Sequence, residues 1–278
     1  MRPDEALVHD CGEIVATHWA SVLQSVFFLC VLVVRSLLNR ARATMWRTVA
    51  TRLNQLSSYV PPPPREAEAA PRRVLVVDVH PLGDSFSAAI ADAVVQGAKE
   101  GGHACKRRSL YAEGFQPALS ASERSRYFDC VAKNYSDDVK SHLADLRWCD
   151  SVVFVYPTWW FNMPAMLKGY FDRTLVPGDE GAWAFPGTEA GETVASNGLV
   201  PRLTNVQRVM GVSTYGASRS LVLLAGDNGR NCISTGIRAN FSPDCACHWL
   251  GLYDMDFASS ARRREFLDAV RTTVAESF

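Results

Sequence analysis

Residues 73–94 read RVLVVDVHPLGDSFSAAIADAV. Val74 to Val79 form an almost unbroken apolar run, the pattern of a parallel strand covered by helices on both faces. The run stops at His80-Pro81-Leu82-Gly83-Asp84, and from Ala88 to Val94 small and aliphatic residues return at helical spacing. Strand, polar turn and helix in that order offer backbone N–H groups to an anion at the turn. Ser85 and Ser87 fit a plain helix cap equally well, and His80 fits a hydrogen-bonded interior residue.

A second strand with the same logic lies further on. Residues 151–164 read SVVFVYPTWWFNMP, in which a strand over Ser151 to Tyr156 leaves through a loop carrying three large aromatics between two prolines. Between these stretches, Gly101-Gly102 turns the chain into a short strand around Lys106 to Leu110, and Asp137 to Leu146 reads as helix. Beyond them come a helix from Pro164 to Arg173, strands over Val206 to Ser213 and Cys245 to Leu252, and a closing helix over Ser260 to Glu276. The alternation predicts an α/β fold, a doubly wound parallel sheet of about five strands in the flavodoxin-like order 2-1-3-4-5. That order puts a ligand where the exits of strands one and three diverge, at the His80–Ser87 and Pro157–Asn162 loops. There the aromatics can flank a planar ring whose phosphate reaches Ser85, Phe86 and Ser87, or serve a protein interface.

The chain of 278 residues is 47% hydrophobic, enough for one substantial core and an appendage. Lys+Arg and Asp+Glu both number 29, which gives no footprint for nucleic acid. Eight scattered cysteines suit a reducing compartment, and Cys245-Ala246-Cys247 reads as packing within a sheet rather than as a metal site. His9, His18, His103, His142 and His248 are dispersed, so no metal is expected.

Ile14 to Val34 is free of formal charge and long enough to span a bilayer. Acidic residues precede it and Arg35, Arg40, Arg42, Arg47 and Arg52 follow, an asymmetry that would leave the rest of the chain facing the cytoplasm. An interfacial or organelle-targeting helix, or a helix packed on a soluble domain, satisfies the same pattern. The expected organisation is a hydrophobic and basic helical extension over 1–60, a proline-rich linker over 61–71 and the catalytic-sized domain over 72–278.

Four stretches carry a resemblance to a known family: HPLGDSFSAAIADA at 80–93, SLYAEGFQPALSASE at 109–123, LRWCDSVVFVYPTWWFNMPAMLKGYFDR at 146–173 and LGLYDMD at 250–256. They resemble the flavodoxin-like NAD(P)H quinone dehydrogenases, the group that contains mammalian DT-diaphorase. The resemblance implies a noncovalent flavin, FAD with FMN as the alternative, and NADPH or NADH as donor. It also implies two-electron ping-pong transfer to a quinone, and a homodimer. Residue by residue, it assigns flavin contacts to His80, Ser85, Phe86 and Ser87 in the first loop and to Pro157, Thr158, Trp159, Trp160, Phe161 and Asn162 in the second. Ser213, Thr214, Tyr215 and Gly216 match the family's Thr-Thr-Gly segment.

The chain departs from the family in three places. Ser87 stands where Asn is common, and Tyr215 replaces a small residue and would narrow the pocket. No Tyr and His pair follows Thr-Thr-Gly to relay charge, since Ala225 stands at the histidine position. Tyr215 and Arg219 are the candidates left for that role. Two further readings fit flavin binding: a regulatory subunit of a membrane transport system, and a one-electron carrier.

Overall fold

The computed structural model describes residues 70–128, 135–178, 181–187, 193–195 and 198–278. Five parallel strands form the central sheet: β1 (Arg73–Asp78), β2 (Ala104–Ser109), β3 (Ser151–Pro157), β6 (Arg208–Thr214) and β7 (Ala246–Leu252), in the spatial order β2-β1-β3-β6-β7. Counted within the sheet alone this is the 2-1-3-4-5 order that the alternation predicts. The exits of β1 and β3 are therefore neighbours, as a switch point requires.

Strands β1, β3, β6 and β7 send alternate side chains into two cores, while the edge strand β2 is largely polar and exposed. Val74, Val76, Val153, Val155, Met210 and Val212 pack on one face with Ile90 and Val94 of α1 (Phe86–Glu100) and with Val270 and Val274 of α7 (Ser260–Ser277). Leu75, Val77, Val152, Phe154 and Tyr156 pack on the other, against Leu146 of α3 (Asp137–Trp148) and Leu167, Tyr170 and Phe171 of α4 (Ala165–Thr174). Burial on both faces is why these strands read as continuous apolar runs, and each buried aliphatic contributes about 1.5–3 kcal/mol. Cys245 and Cys247 join the second core, as the small-residue reading of that pair expects.

Helix α4 begins where the aromatic loop ends, and a latch fixes its far end. Arg173 is only 5% exposed, and its guanidinium donates to Glu123 of α2 (Ala121–Ser125), to Asp138 and Ser136 at the start of α3, and to the Gln116 carbonyl. Glu123 closes the capping box of α2 with Ser120, so one carboxylate serves both the short helix and the latch.

Between β6 and β7 the chain runs through α5 (Arg219–Leu224) and α6 (Asn228–Asn231), a wider π turn over Cys232–Ile237 and a 3₁₀ turn over Arg238–Asn240. Sequence periodicity gives none of these, nor the small antiparallel pair β4 (Trp183–Ala184) and β5 (Val200–Pro201). The second strand also begins earlier than expected, at Ala104, and α1 starts at Phe86 rather than Ala88. Among the described residues no helix is long and apolar enough to cross a membrane. The span expected at Ile14–Val34 and residues 61–69 of the linker expected over 61–71 lie outside the described residues.

One close approach in the sheet allows a direct test. A Cβ on Gly211 of β6 would lie 2.1 Å from Cζ3 and 2.4 Å from Cε3 of Trp249, its register partner on β7. The indole is also packed on Tyr156, with ring centroids 6.2 Å apart, so it has little room to retreat. Gly211→Ala is expected to lower stability by about 1–3 kcal/mol in urea denaturation. An unchanged midpoint would show that the indole moves aside freely.

Candidate functional site

The exits of β1, β3 and β6 meet at the C-terminal edge of the sheet. β3 ends at Pro157, and Thr158 is tied to the neighbouring exit twice: its N–H donates to the Thr214 carbonyl at 2.8 Å, and its hydroxyl lies 2.9 Å from that of Ser213. These bonds set the height of everything that follows in the loop.

Trp159 and Asn162 then pair across a tight turn, each N–H bonded to the other's carbonyl at 2.9 and 3.1 Å. The two central residues, Trp160 and Phe161, have φ of 51° and 58°. Two left-handed residues in succession make a turn of the kind that ordinarily takes Asn-Gly, and a non-glycine residue there costs on the order of 1–3 kcal/mol. The strained loop is fixed at its exit, where Asn162 Oδ1 accepts from the Met163 N–H at 2.8 Å, and from outside, where Asn228 Nδ2 donates to the Phe161 carbonyl at 3.2 Å. Trp160 is left 96% exposed and Trp159 42% exposed. The strained loop thus presents an exposed indole face at the sheet's C-terminal edge, a surface on which a flat group can stack.

On the β1 side, the Leu82 N–H donates to His80 Nδ1 at 3.0 Å, and the imidazole stands edge-on to Trp159 with centroids 6.3 Å apart. Ser85 is the N-cap of α1, its Oγ accepting from the Ala88 N–H at 3.1 Å. The cap reading of Ser85 is therefore realised. It leaves the Phe86 and Ser87 amides in the first turn, where a helix has no internal acceptor for them and the dipole favours an anion.

Ser213 and Thr214 finish β6 beside these loops, and Gly216 is open to solvent, with the Asp256 carboxylate so close that a Cβ there would lie 2.8 Å from Oδ2. Tyr215 does not narrow the ledge: it turns inward, stacks on Tyr253 at 4.5 Å between centroids, and its hydroxyl donates to Asp227 Oδ1 at 3.2 Å. Arg219 lies over the outer side of Tyr253, 5.9 Å from the ring centroid. The two candidates for the charge role thus meet at Tyr253, Tyr215 stacked on it and Arg219 over it. Burial pushes the Asp227 carboxyl above the ordinary carboxylate range, against the pull of Arg230 and the Tyr215 hydroxyl.

Residues 72–231, more than half of the chain, match the model of the family described as having a flavodoxin-like fold. The chain belongs to that flavodoxin-like family. Similar proteins include the NAD(P)H oxidoreductase YcaK of Escherichia coli, 38% identical over 101 residues that cover 36% of this chain and 51% of that one. Rat NAD(P)H dehydrogenase [quinone] 1 is 34% identical over 123 residues, covering 39% of this chain and 45% of that protein. The flavodoxin-like chain thus spans about half the length of the curated relatives it matches. Among solved structures, the NAD(P)H:quinone oxidoreductase of Methanothermobacter marburgensis superposes with a TM-score of 0.60 at 22% identity, over 74% of this chain and 96% of that one, which shows the shared fold.

Asn228 and Asp227 belong to the site's support, yet sequence reading assigns neither a role. The turn signal Gly226-Asp227-Asn228-Gly229 marks the place without saying which loop it braces.

Proposed function

We propose that this domain is a flavin-dependent NAD(P)H:quinone oxidoreductase. The observation that carries the reading is the left-handed pair Trp160 and Phe161, held at the switch point opposite the first turn of α1. An aromatic shelf and an anion-ready helix start, on adjacent strands, fit the ring and the phosphate of a flavin. The names of the similar proteins, NAD(P)H dehydrogenase and oxidoreductase, support the same class of donor and reaction.

A bound flavin supplies the two-electron relay between reduced nicotinamide and quinone. The chain's residues do the positioning. Trp159, Trp160 and Phe161 would bear the ring, and the Thr158–Ser213 tie keeps the backbone of both exits level beneath it. The Phe86 and Ser87 amides would receive the phosphate, with Ser85 already committed to the cap. Nicotinamide and quinone would use the remaining open face in turn, the ping-pong order, and a second copy covering the exposed Trp160 would exclude water from it. FAD is the proposed cofactor, with FMN the alternative.

The test is an absorbance spectrum of the full chain, purified and then titrated without oxygen. A yellow protein that bleaches with NADPH and recovers with a quinone is the expected result. A colourless protein that neither FAD nor FMN reconstitutes would overturn the proposal. Bound flavin without turnover would instead favour a regulatory subunit, and reduction that halts after one electron a carrier.

A further inference from the structure

A groove of about 620 Å³ runs beside β7, on the far side of Asp227 from the aromatic loop. Its walls are the helical stretch from Asn228 to Asn240 and the edge strand itself. Arg230, Ser234 and Arg238 line it at four-residue intervals, so they share one helix face, with the two arginines roughly 12 Å apart along the axis. Trp249 and Cys247 of β7 form the floor.

One polar group in this groove lacks a partner, and two guanidiniums along it are lightly paired. Asp227 is only 5% exposed, and while Oδ1 takes the Tyr215 hydroxyl, Oδ2 is buried without a hydrogen-bond partner. Its nearest cation, Arg230 Nη1, is 3.9 Å away, beyond hydrogen-bond length. That ion pair is the only one Arg230 makes among the described residues. Arg238 donates from Nε to the Cys245 carbonyl at 2.6 Å, which fixes its guanidinium, but no carboxylate lies within ion-pair distance of it among the described residues. A buried acceptor with one lightly paired guanidinium beside it and a second farther along the same groove calls for a ligand that donates a hydroxyl and carries phosphate.

The groove also begins in the right place. Tyr215, the residue that follows β6 at the proposed flavin site, reaches Asp227 directly, and β7 lies one strand spacing, about 5 Å, beyond β6. We infer that this groove holds the phosphorylated-ribose half of NADPH: Asp227 accepts a ribose hydroxyl, Arg230 meets the pyrophosphate at the mouth and Arg238 the 2′-phosphate deeper in. The inference rests on the NAD(P)H reading above. It assigns a preference for NADPH over NADH to Arg238, because an arginine beside the 2′-phosphate is the chemical means of favouring the phosphorylated ribose.

The test uses the flavin-reconstituted full chain and two readouts. In steady-state kinetics, Arg238→Gln should raise KM for NADPH about ten-fold, the loss of one charge-assisted contact, and leave KM for NADH, KM for quinone and kcat unchanged. Arg230→Gln should raise KM for both nucleotides. In calorimetry, 2′-phospho-ADP-ribose, which has no nicotinamide, should bind the wild type and bind Arg238→Gln about ten-fold more weakly. Should Arg238→Gln fold poorly, Ser234→Glu sets a carboxylate between the two guanidiniums and should weaken the fragment likewise. Equal fragment affinity in wild type and variants, or no binding to the wild type, would overturn the inference. If the wild type oxidises neither nucleotide, the enzyme reading fails by itself, and the fragment titration still decides whether the groove takes a phosphorylated ribose.

Discussion

Arg173→Leu is expected to cost the domain about 3–5 kcal/mol, read as a shift of the urea midpoint at neutral pH. The side chain is buried, and all of its N–H groups are directed at Glu123, Asp138, Ser136 and the Gln116 carbonyl. Its removal strands two carboxylates whose solvation has already been given up in part. Burial alone would push both carboxyls up, but hydrogen bonds from Arg173 and from their neighbours outweigh it and hold Glu123 and Asp138 below the ordinary range. A carboxyl depressed by folding stabilises the native state above its unfolded pKa, and that contribution is lost as pH falls through the folded value. The difference between wild type and Arg173→Leu should therefore be full at neutral pH and shrink below about pH 4. A gap that stayed constant into acid would mean that the arginine acts through packing on Phe115, 5.0 Å from its guanidinium, rather than through charge.

The latch also shows what a sequence does and does not disclose. Four strands of the sheet follow from apolar runs, because burial on both faces leaves a pattern that survives without coordinates, whereas β2, which reads Ala-Cys-Lys-Arg-Arg-Ser at the sheet edge, is marked only by the Gly-Gly turn before it. The aromatic loop and the helix start at Ser85 are legible for the same reason: prolines, serines and tryptophans at a strand exit are unusual locally. Arg173 is not legible in this way. It sits in an amphipathic helix where an arginine is expected at the surface, and its partners lie 50 and 35 residues away. Tyr215 misleads in the opposite direction, since a bulky residue in a loop reads as a wall of the pocket, whereas its ring finds Tyr253 and its hydroxyl finds Asp227 inside the fold. The π turn at Cys232–Ile237 is hidden because a single widened turn shifts helical periodicity without any residue type that announces it.

The aromatic loop offers the sharpest separation of stability from function. Trp160→Gly/Phe161→Gly removes both rings and also relieves two left-handed non-glycine residues, with φ of 51° and 58°. Relief is on the order of 1–3 kcal/mol per residue, set against the roughly 0.5–1 kcal/mol that each glycine costs by loosening the unfolded chain. Trp160 gives up almost no burial, being 96% exposed. The double variant should thus unfold at a urea concentration no lower than the wild type. Its affinity for flavin should meanwhile fall about a thousand-fold, because each aromatic face is worth about 1–3 kcal/mol in stacking on a planar ring. Fluorescence titration with FAD and with FMN reads the second effect independently of turnover. The single variant Asn228→Ala, which removes only the external brace on the Phe161 carbonyl, should weaken flavin more mildly while keeping both rings. If the double variant were instead strongly destabilised with flavin affinity intact, the turn would be a structural corner and the rings would not be the shelf. A loop that is costly to the fold and indispensable to the ligand is expected only where selection has acted on binding.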